Sequence, residues 1–217
     1  MRIWTTSLSY GLYRRTCFVL ILTAVLLSGC STDRAFRPAE NYYYINPNTN
    51  LRMIGRVAVV ELNNDSSYPQ VSSDITESLF QALQKKQIFG LTVVSQTDPA
   101  WRSLQLETDS TYTLDQMQSI RKSLKCDGVL IGSITEFRAY PHMAIGLRLK
   151  LLDLKNGQLL WALEQIWDIT DKDTESRIKK YYKSQKSPDT ARQHEHLASI
   201  SPLEFIRFVC FEAAETL

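Results

Sequence analysis

Arg56-Val57-Ala58-Val59-Val60-Glu61-Leu62 is the stretch that decides the fold of this chain. Its apolar, β-branched residues are typical of a strand that is buried on both faces of a sheet. Asn63-Asn64-Asp65 is expected to end the strand, because these residue types favour turns. The segments that follow alternate between helical and extended patterns.

A helix is predicted directly after this strand. Asp74 with Glu77 three residues later resembles a capping box. The apolar residues that follow fall on one face of a helix, namely Ile75, Leu79, Ala82 and Leu83.

A second strand and two more helices come next. Residues 91–95 are predicted to be extended, and Asp98-Pro99 has the cap-then-proline order that opens a helix, here a short one through Trp101 and Leu104. Thr113 with Gln116 caps a longer helix. Its apolar side is formed by Met117, Ile120 and Leu124.

Three strands are expected to close the sheet. Residues 128–137 form the first, and in residues 145–151 leucine and isoleucine alternate with glycine, arginine and lysine, the pattern of a half-buried strand. Asn156-Gly157 then predicts a type I′ hairpin into residues 158–168. The order is β-α-β-α-α-β-β-β, which is an α/β fold with a single mixed sheet, early parallel strands and a closing antiparallel hairpin.

A helical extension follows residue 168. The composition is charged and helix-forming through Gln185, breaks at residues 187–189 and resumes near Ala191. Ser201-Pro202 with Glu204 combines an N-cap, an N1 proline and a capping carboxylate, and opens a helix over residues 203–217.

This last helix is apolar on most sides. One face carries Ile206, Val209, Cys210, Ala213 and Leu217, and Phe205, Phe208 and Phe211 extend the apolar surface around it. Helices of this kind are buried. Docking on the chain's own sheet is the simpler expectation, and burial of part of the surface against a second subunit, in a homo-oligomer through Leu203 to Leu217, or against lipid headgroups is the alternative.

The first 30 residues carry an export signal. Arg14-Arg15 precede an apolar run from Cys17 to Leu27, and Leu27-Ser28-Gly29-Cys30 follows as a small-residue cleavage site. A transmembrane helix would need about 20 apolar residues, whereas this run stops after 11. Arg14-Arg15 also allows a twin-arginine signal, although the residues beside it match poorly.

Leu27-Ser28-Gly29-Cys30 looks like a bacterial lipobox. The resemblance implies a diacylglycerol on the Cys30 sulfur and a third acyl chain, such as palmitate, on its amine. Two or three chains are needed for lasting attachment to a membrane. Ser31, in place of an aspartate, is similar to the sorting signal for the outer membrane, with the domain facing the periplasm.

Four regions are therefore expected. Residues 1–29 are the lipoprotein signal peptide, residues 30–53 are a polar, turn-rich tether, residues 54–168 are the α/β domain, and residues 169–217 are the helical extension.

Charge argues against a nucleic-acid partner. The chain has 25 Lys and Arg against 23 Asp and Glu. Loss of Arg2, Arg14 and Arg15 with the signal leaves 22 basic residues in a 188-residue mature chain. Nucleic-acid binders usually show a clustered basic surplus.

Two cysteines remain besides Cys30. Cys126 and Cys210 could pair in an oxidising periplasm. Each also lies in an apolar segment, where a free cysteine behaves as a small hydrophobic residue.

Two stretches resemble the CsgG and TolB N-terminal-domain superfamily. Residues 126–137, Cys-Asp-Gly-Val-Leu-Ile-Gly-Ser-Ile-Thr-Glu-Phe, look like its strand with Gly, Thr and Phe, and residues 149–161, which include Asp153, Gly157 and Trp161, look like its hairpin. The similarity spans about residues 54–168. It implies an α/β fold and an envelope lipoprotein, since the family includes the curli secretion channel and LpoB-like activators of peptidoglycan synthases.

The chain departs from both of those relatives. Transmembrane barrel strands need about 9 to 11 alternating residues each, but only Arg138 to His142 separate Phe137 from Met143. A curli-type pore is therefore not expected. LpoB-like activators use long proline-rich tethers, and the tether here is short.

The sequence offers little for catalysis. The histidines of the mature chain are His142, His194 and His196, and none lies in a nucleophile motif. His194-Glu195-His196 could approach one metal if extended, but surface histidines are the simpler interpretation. Asp127 at a strand entry is expected to bond turn amides. No catalytic, cofactor or metal residue is assigned.

Three functions remain open. The first is a non-enzymatic, lipid-anchored binding or scaffold protein that recruits other envelope proteins. The second is a subunit of an oligomeric outer-membrane secretion complex, and the third is a small hydrolytic or metal-binding lipoprotein.

Overall fold

A computed structural model describes residues 43–104, 112–185 and 201–217. In these ranges the chain forms one open, mixed seven-stranded sheet and five α-helices. The predicted α/β class and the C-terminal helix are confirmed, and so is the order of elements over residues 56–168, with one addition. Asn63–Asn64, expected to end the first strand, forms a short strand of its own.

The strands of the sheet are β1 Tyr43–Ile45, β2 Arg56–Val60, β3 Asn63–Asn64, β4 Gly90–Val94, β5 Gly128–Arg138, β6 Ala144–Asp153 and β7 Leu159–Asp168. They lie in the order β1-β7-β6-β5-β2-β4, with β3 beside β5. Strand β2 is parallel to β4 and to β5, and β3 is parallel to β5, whereas the β5-β6, β6-β7 and β7-β1 pairs are antiparallel.

The helices cover both faces of this sheet. Their bounds are α1 Val71–Lys86, α2 Pro99–Leu104, α3 Leu114–Leu124, α4 Lys172–Gln185 and α5 Pro202–Glu215, with a 3₁₀ turn at Leu51–Met53.

Strand β2 is buried on both faces, as its sequence predicts. Val57 and Val59 belong to the larger apolar cluster, with residues of α1, α4 and α5, whereas Ala58 and Val60 belong to a second cluster with residues of α3. One strand thereby contributes to both hydrophobic layers.

Helix α1 begins three residues before the predicted capping box at Asp74 and Glu77, and that prediction is wrong. Asp74 lies in the first turn, and Gln70 is the N-cap, without a side-chain hydrogen bond. The extra turn is held by contacts to Leu62, two residues after β2: the Ser72 hydroxyl donates to the Leu62 carbonyl, and the Leu62 amide donates to Thr76 Oγ1 at 3.0 Å. Tertiary bonds thus outweigh the local capping signal.

Helix α3 begins where its sequence predicts. The Thr113 side chain accepts from the Gln116 amide at 3.3 Å, and Gln116 Oε1 accepts from the Thr113 amide at 2.9 Å, which completes the capping box. Met117 and Ile120 are buried beneath it.

The β6–β7 hairpin is present, but its turn is not the predicted two-residue type I′. Gly157 has a φ of 73°, while Asn156 is not among the residues with positive φ. The loop spans residues 154–158. The Gly157 amide donates a hydrogen bond to the Asp153 carbonyl at 2.8 Å, and the Gln158 amide donates one to Asn156 Oδ1 at 3.0 Å. A longer loop relieves Asn156 of the positive φ.

The C-terminal part of the predicted tether belongs to the domain. Tyr43–Ile45 pairs with β7, and Leu51 is buried in the larger cluster. The edge of β7 offers unpaired backbone groups, which an otherwise turn-rich segment satisfies.

Helix α5 begins at Pro202 after Ser201, but the predicted side-chain cap is absent. The Glu204 carboxylate instead accepts from the Tyr182 hydroxyl at 3.1 Å and pairs with Arg207. These partners withdraw it from the helix terminus.

The apolar surface of α5 is buried within the chain itself. Phe205, Phe208, Val209 and Cys210 are fully covered, largely against α1. The alternative of a homo-oligomer through Leu203 to Leu217 therefore loses the exposed surface that motivated it.

Candidate functional site

The predicted lipid-attachment residue, Cys30, lies outside the described residues, and so do His194 and His196. In the part of the chain that the structure describes, no helix is long and apolar enough to span a bilayer.

A basic cleft opens at the end of the sheet where β5 begins and β6 ends. It has a volume of about 470 Å³ and lies between the C-terminal turn of α3 and the β6–β7 loop. We define the basic cleft by its lining residues, which are Gln118, Arg121, Lys122, Lys125, Cys126, Asp127, Leu154 and Lys155.

Asp127 is the carboxylate of the basic cleft. Its Oδ1 lies 3.1 Å from Arg121 Nη2 and 3.6 Å from Lys155 Nζ. Its backbone joins two strands, since its amide donates to the Arg56 carbonyl at 2.7 Å and its carbonyl accepts from the Leu154 amide at 2.9 Å. The prediction that this side chain accepts hydrogen bonds from turn amides is therefore wrong, because it pairs with Arg121 and Lys155.

The other two cations of the basic cleft are differently placed. Lys122 lies in the last turn of α3, and Lys125 is its C-cap in the left-handed conformation, with a φ of 50°. Both are exposed, and no ion pair joins either one to another described residue. Cations at a helix C-terminus are favoured by the helix dipole.

The opposite end of the sheet holds the carboxyl ends of the parallel strands β2, β4 and β5. In open α/β sheets, ligands usually bind in a crevice outside these ends. Polar groups of the protein bond to one another at this end of β2 and β4. Glu61 Oε2 accepts from the Ser95 hydroxyl and from the Gln96 amide, each at 2.8 Å, and Asp98 Oδ2 accepts from the Ser95 amide at 2.8 Å.

Neither described cysteine is placed to act as a nucleophile or to form the disulfide that the sequence left open. Both are free and buried, Cys126 in the second cluster and Cys210 in the larger one, on opposite faces of the sheet. Burial raises the pKa of Cys126 to about 11 and also raises the pKa of Cys210. Thiolate, the reactive form, is therefore scarce at neutral pH.

His142 lies exposed in the β5–β6 loop, beside the cis Tyr140–Pro141 bond. Among the described residues, no group of three or more His, Cys, Asp or Glu side chains is arranged to hold a metal ion.

Sequence reasoning did not identify the basic cleft. Arg121, Lys122 and Lys125 are close in sequence and give a weak local signal, but Lys155 belongs to a different turn. Its approach depends on the register of β5 with β6, in which Gly128 pairs with Asp153.

No family model matches the chain, and no curated protein matches it significantly. Similar solved structures include a PelC dodecamer from Paraburkholderia phytofirmans, 18% identical over 58% of this chain and 78% of that chain, with a TM-score of 0.43. A lipoprotein from Neisseria meningitidis is 18% identical over 52% of this chain and 82% of its own, with a TM-score of 0.40.

The LpoB C-terminal domain from Escherichia coli is 23% identical over 56% of this chain and 86% of that domain, with a TM-score of 0.37. LpoB, which the sequence resemblance named, is thus among the similar structures. None of these three structures is a CsgG or TolB protein. With TM-scores and identities this low, the similarities assign neither a family nor a function to this chain.

Proposed function

We propose that this chain is a non-enzymatic, lipid-anchored protein of the bacterial outer membrane, which faces the periplasm and recruits or organises other envelope proteins. The observation that carries the proposal is Leu27-Ser28-Gly29-Cys30 after a basic segment and an apolar run of 11 residues. Such a signal provides a cysteine at the new N-terminus, and several acyl chains on it suffice for stable anchoring.

The described domain is compatible with this role. Its two thiols are buried, and at the carboxyl ends of the parallel strands Ser95 donates hydrogen bonds to the carboxylates of Glu61 and Asp98. Its exposed surface includes large side chains that a partner could cover, with Tyr140 85% exposed and Ile166 58% exposed. Aromatic side chains are enriched at protein interfaces.

The anchor is tested by replacing Cys30 with serine in the full chain. We expect the wild-type protein to incorporate an alkyne analogue of palmitate and to fractionate with the outer membrane, and Cys30→Ser to do neither. Cys17→Ser is the matched control, because Cys17 lies in the apolar run of the signal and should be removed with it. An intact N-terminus with an unmodified thiol at Cys30, found by mass spectrometry, would contradict the anchor.

The recruiting role is tested by photo-crosslinking in intact cells. A crosslinking amino acid is placed at Tyr140 or at Ile166, and a buried position, Phe208, serves as the control. We expect a discrete protein adduct from an exposed position, none from position 208, and loss of the adduct in the Cys30→Ser chain. Absence of adducts from every exposed position tried would count against recruitment.

A further inference from the structure

We propose that the basic cleft binds a phosphate group, either as a free phosphate or as the phosphate of a lipid headgroup. Four basic side chains line the cleft with a single carboxylate, that of Asp127: Arg121, Lys122, Lys125 and Lys155. This excess of positive charge stands out in a chain whose acidic and basic residues nearly balance.

The carboxylate within the cleft does not neutralise all four cations. Asp127 Oδ1 contacts Arg121 Nη2 at 3.1 Å and Lys155 Nζ at 3.6 Å, and these two pairs account for its ion contacts in the described chain. Another carboxylate close by, that of Asp153, accepts from the Lys155 amide at 2.7 Å and is engaged in holding the β6–β7 loop. Lys122 and Lys125 are left without an ion-pair partner among the described residues.

Complementing the helix dipole explains only part of this arrangement. Arg121, Lys122 and Lys125 lie at the C-terminal end of α3, where cations are generally favourable. Lys155, however, is contributed by the loop between two strands. Two separate elements therefore contribute positive charge to the same cleft. The dipole of α3 accounts for the cations of that helix but not for Lys155.

A phosphate matches the cleft better than a carboxylate does. Inorganic phosphate carries up to two negative charges and several strong acceptor oxygens, and a lipid phosphodiester carries one charge and two unesterified oxygens. In both, the oxygens are arranged tetrahedrally and not in the plane of a carboxylate, so they can engage several ammonium groups together with a guanidinium. Arg121 uses one amino group on Asp127 and retains other donors in its planar fork. The volume of about 470 Å³ lies within the range of small-molecule sites.

The binding is tested with the protein as isolated from cells, whether or not Cys30 is acylated, in a neutral detergent. Inorganic phosphate and pyrophosphate are titrated while the amide NMR signals of Asp127, Gly128 and Leu154 are followed. We expect saturable shifts confined to this end of the sheet and weaker binding as salt rises, because the side chains are partly exposed and screened.

A double charge reversal separates the cleft from general surface charge. Lys122→Glu with Lys125→Glu should weaken phosphate binding by about thirtyfold or more. The matched control is Lys85→Glu with Lys183→Glu, which makes the same change of charge at exposed positions of α1 and α4. Equal weakening in both variants, with unchanged thermal unfolding, would overturn the proposal.

The source of the phosphate is distinguished in lipid nanodiscs. If the same amide signals move only when phosphatidylglycerol is added to phosphatidylcholine, the ligand is the phosphate of an anionic lipid headgroup. If they move with soluble phosphate in discs of either composition, it is a free phosphate. If neither moves them, or if poly-glutamate alone does, the proposal fails. The titration with soluble phosphate does not depend on acylation of Cys30. The proposed function can therefore be wrong while the cleft still binds phosphate.

Discussion

Arg177 of α4 and Glu212 of α5 form a buried ion pair, with Arg177 Nε 2.8 Å from Glu212 Oε1 and side chains only 17% and 3% exposed. The second carboxylate oxygen of Glu212 accepts from the Trp167 indole of β7. One buried carboxylate therefore connects α4 and α5 to the sheet. The charged extension and the α/β domain are parts of one packed body.

Removal of one partner of this pair should be costly. Arg177→Met leaves Glu212 buried without its cation, and we expect the free energy of unfolding to fall by about 3 to 5 kcal/mol, as measured by urea denaturation. Lys179→Ala on the same helix breaks the exposed pair with Glu175 and should cost about 0.5 kcal/mol or less. Similar losses in the two variants would show that the buried pair has no special role.

The same pair predicts a pH dependence. Burial raises the pKa of Glu212, while Arg177 and the Trp167 indole oppose that rise. A carboxyl whose pKa is higher in the folded state than in the unfolded state destabilises the fold progressively as the pH rises above its ordinary value. Without Arg177 the pKa should rise further, so the deficit of Arg177→Met should be smaller at pH 5 than at pH 8. Urea denaturation at both pH values checks this, and an equal deficit would contradict it.

The elements that the sequence predicts well are those with strong local signals. The capping box of Thr113 and Gln116, the apolar run of β2 and the alternation in β6 each specify their element without help from distant residues. The order of the elements and the sense of the strands then follow from connection rules.

The elements that the sequence misses depend on partners far along the chain. Strand β1 exists because the edge of β7 is available at Leu163, and the start of α1 is fixed by the backbone of Leu62. The basic cleft depends on Lys155 meeting Arg121 through Asp127, a contact that no local periodicity encodes. The predicted anchor at Cys30 remains a prediction, because it lies outside the described residues.

The buried thiols should be unreactive in the folded protein. With the pKa of Cys126 raised from 9.0 to about 11, its thiolate fraction near neutral pH falls by about a hundredfold. We expect iodoacetamide at pH 8 to leave Cys126 and Cys210 unmodified in the folded chain and to alkylate both in guanidinium chloride, as read by mass spectrometry. A disulfide-linked peptide containing both residues would contradict the structure.

Helix α5 should be essential to the fold through its covered face and tolerant on its exposed face. Phe208 is fully buried, and Phe208→Ala should lower the free energy of unfolding by about 3 to 5 kcal/mol because it leaves a cavity. Leu203, at the start of the same helix, is 45% exposed, and Leu203→Ala should cost about 0.5 kcal/mol or less. If Leu203→Ala instead altered the mass of the protein in solution, an interface through α5 would have to be reconsidered.

Gly132 in the middle of β5 should resist any side chain. A Cβ at this position would lie 2.7 Å from the Arg148 carbonyl oxygen and 3.0 Å from a methyl of Leu62, and it would also meet the side chain of Leu149. Gly132 pairs with Leu149 of β6, so relief would require two paired strands to separate. Gly132→Ala should therefore cost about 1 to 3 kcal/mol in urea denaturation.

Gly90→Ala is the control for this effect, because Gly90 lies on the edge strand β4. The atom nearest to the methyl group that alanine would add is the Gly55 carbonyl oxygen, at 3.2 Å. Its cost should be less than half that of Gly132→Ala, since β4 has a neighbour on one side only and can move outward. The close approach of β6 thus explains why position 132 of β5 is a glycine. An equal cost at the two positions would show that loss of backbone freedom, and not crowding by β6, keeps glycine at position 132.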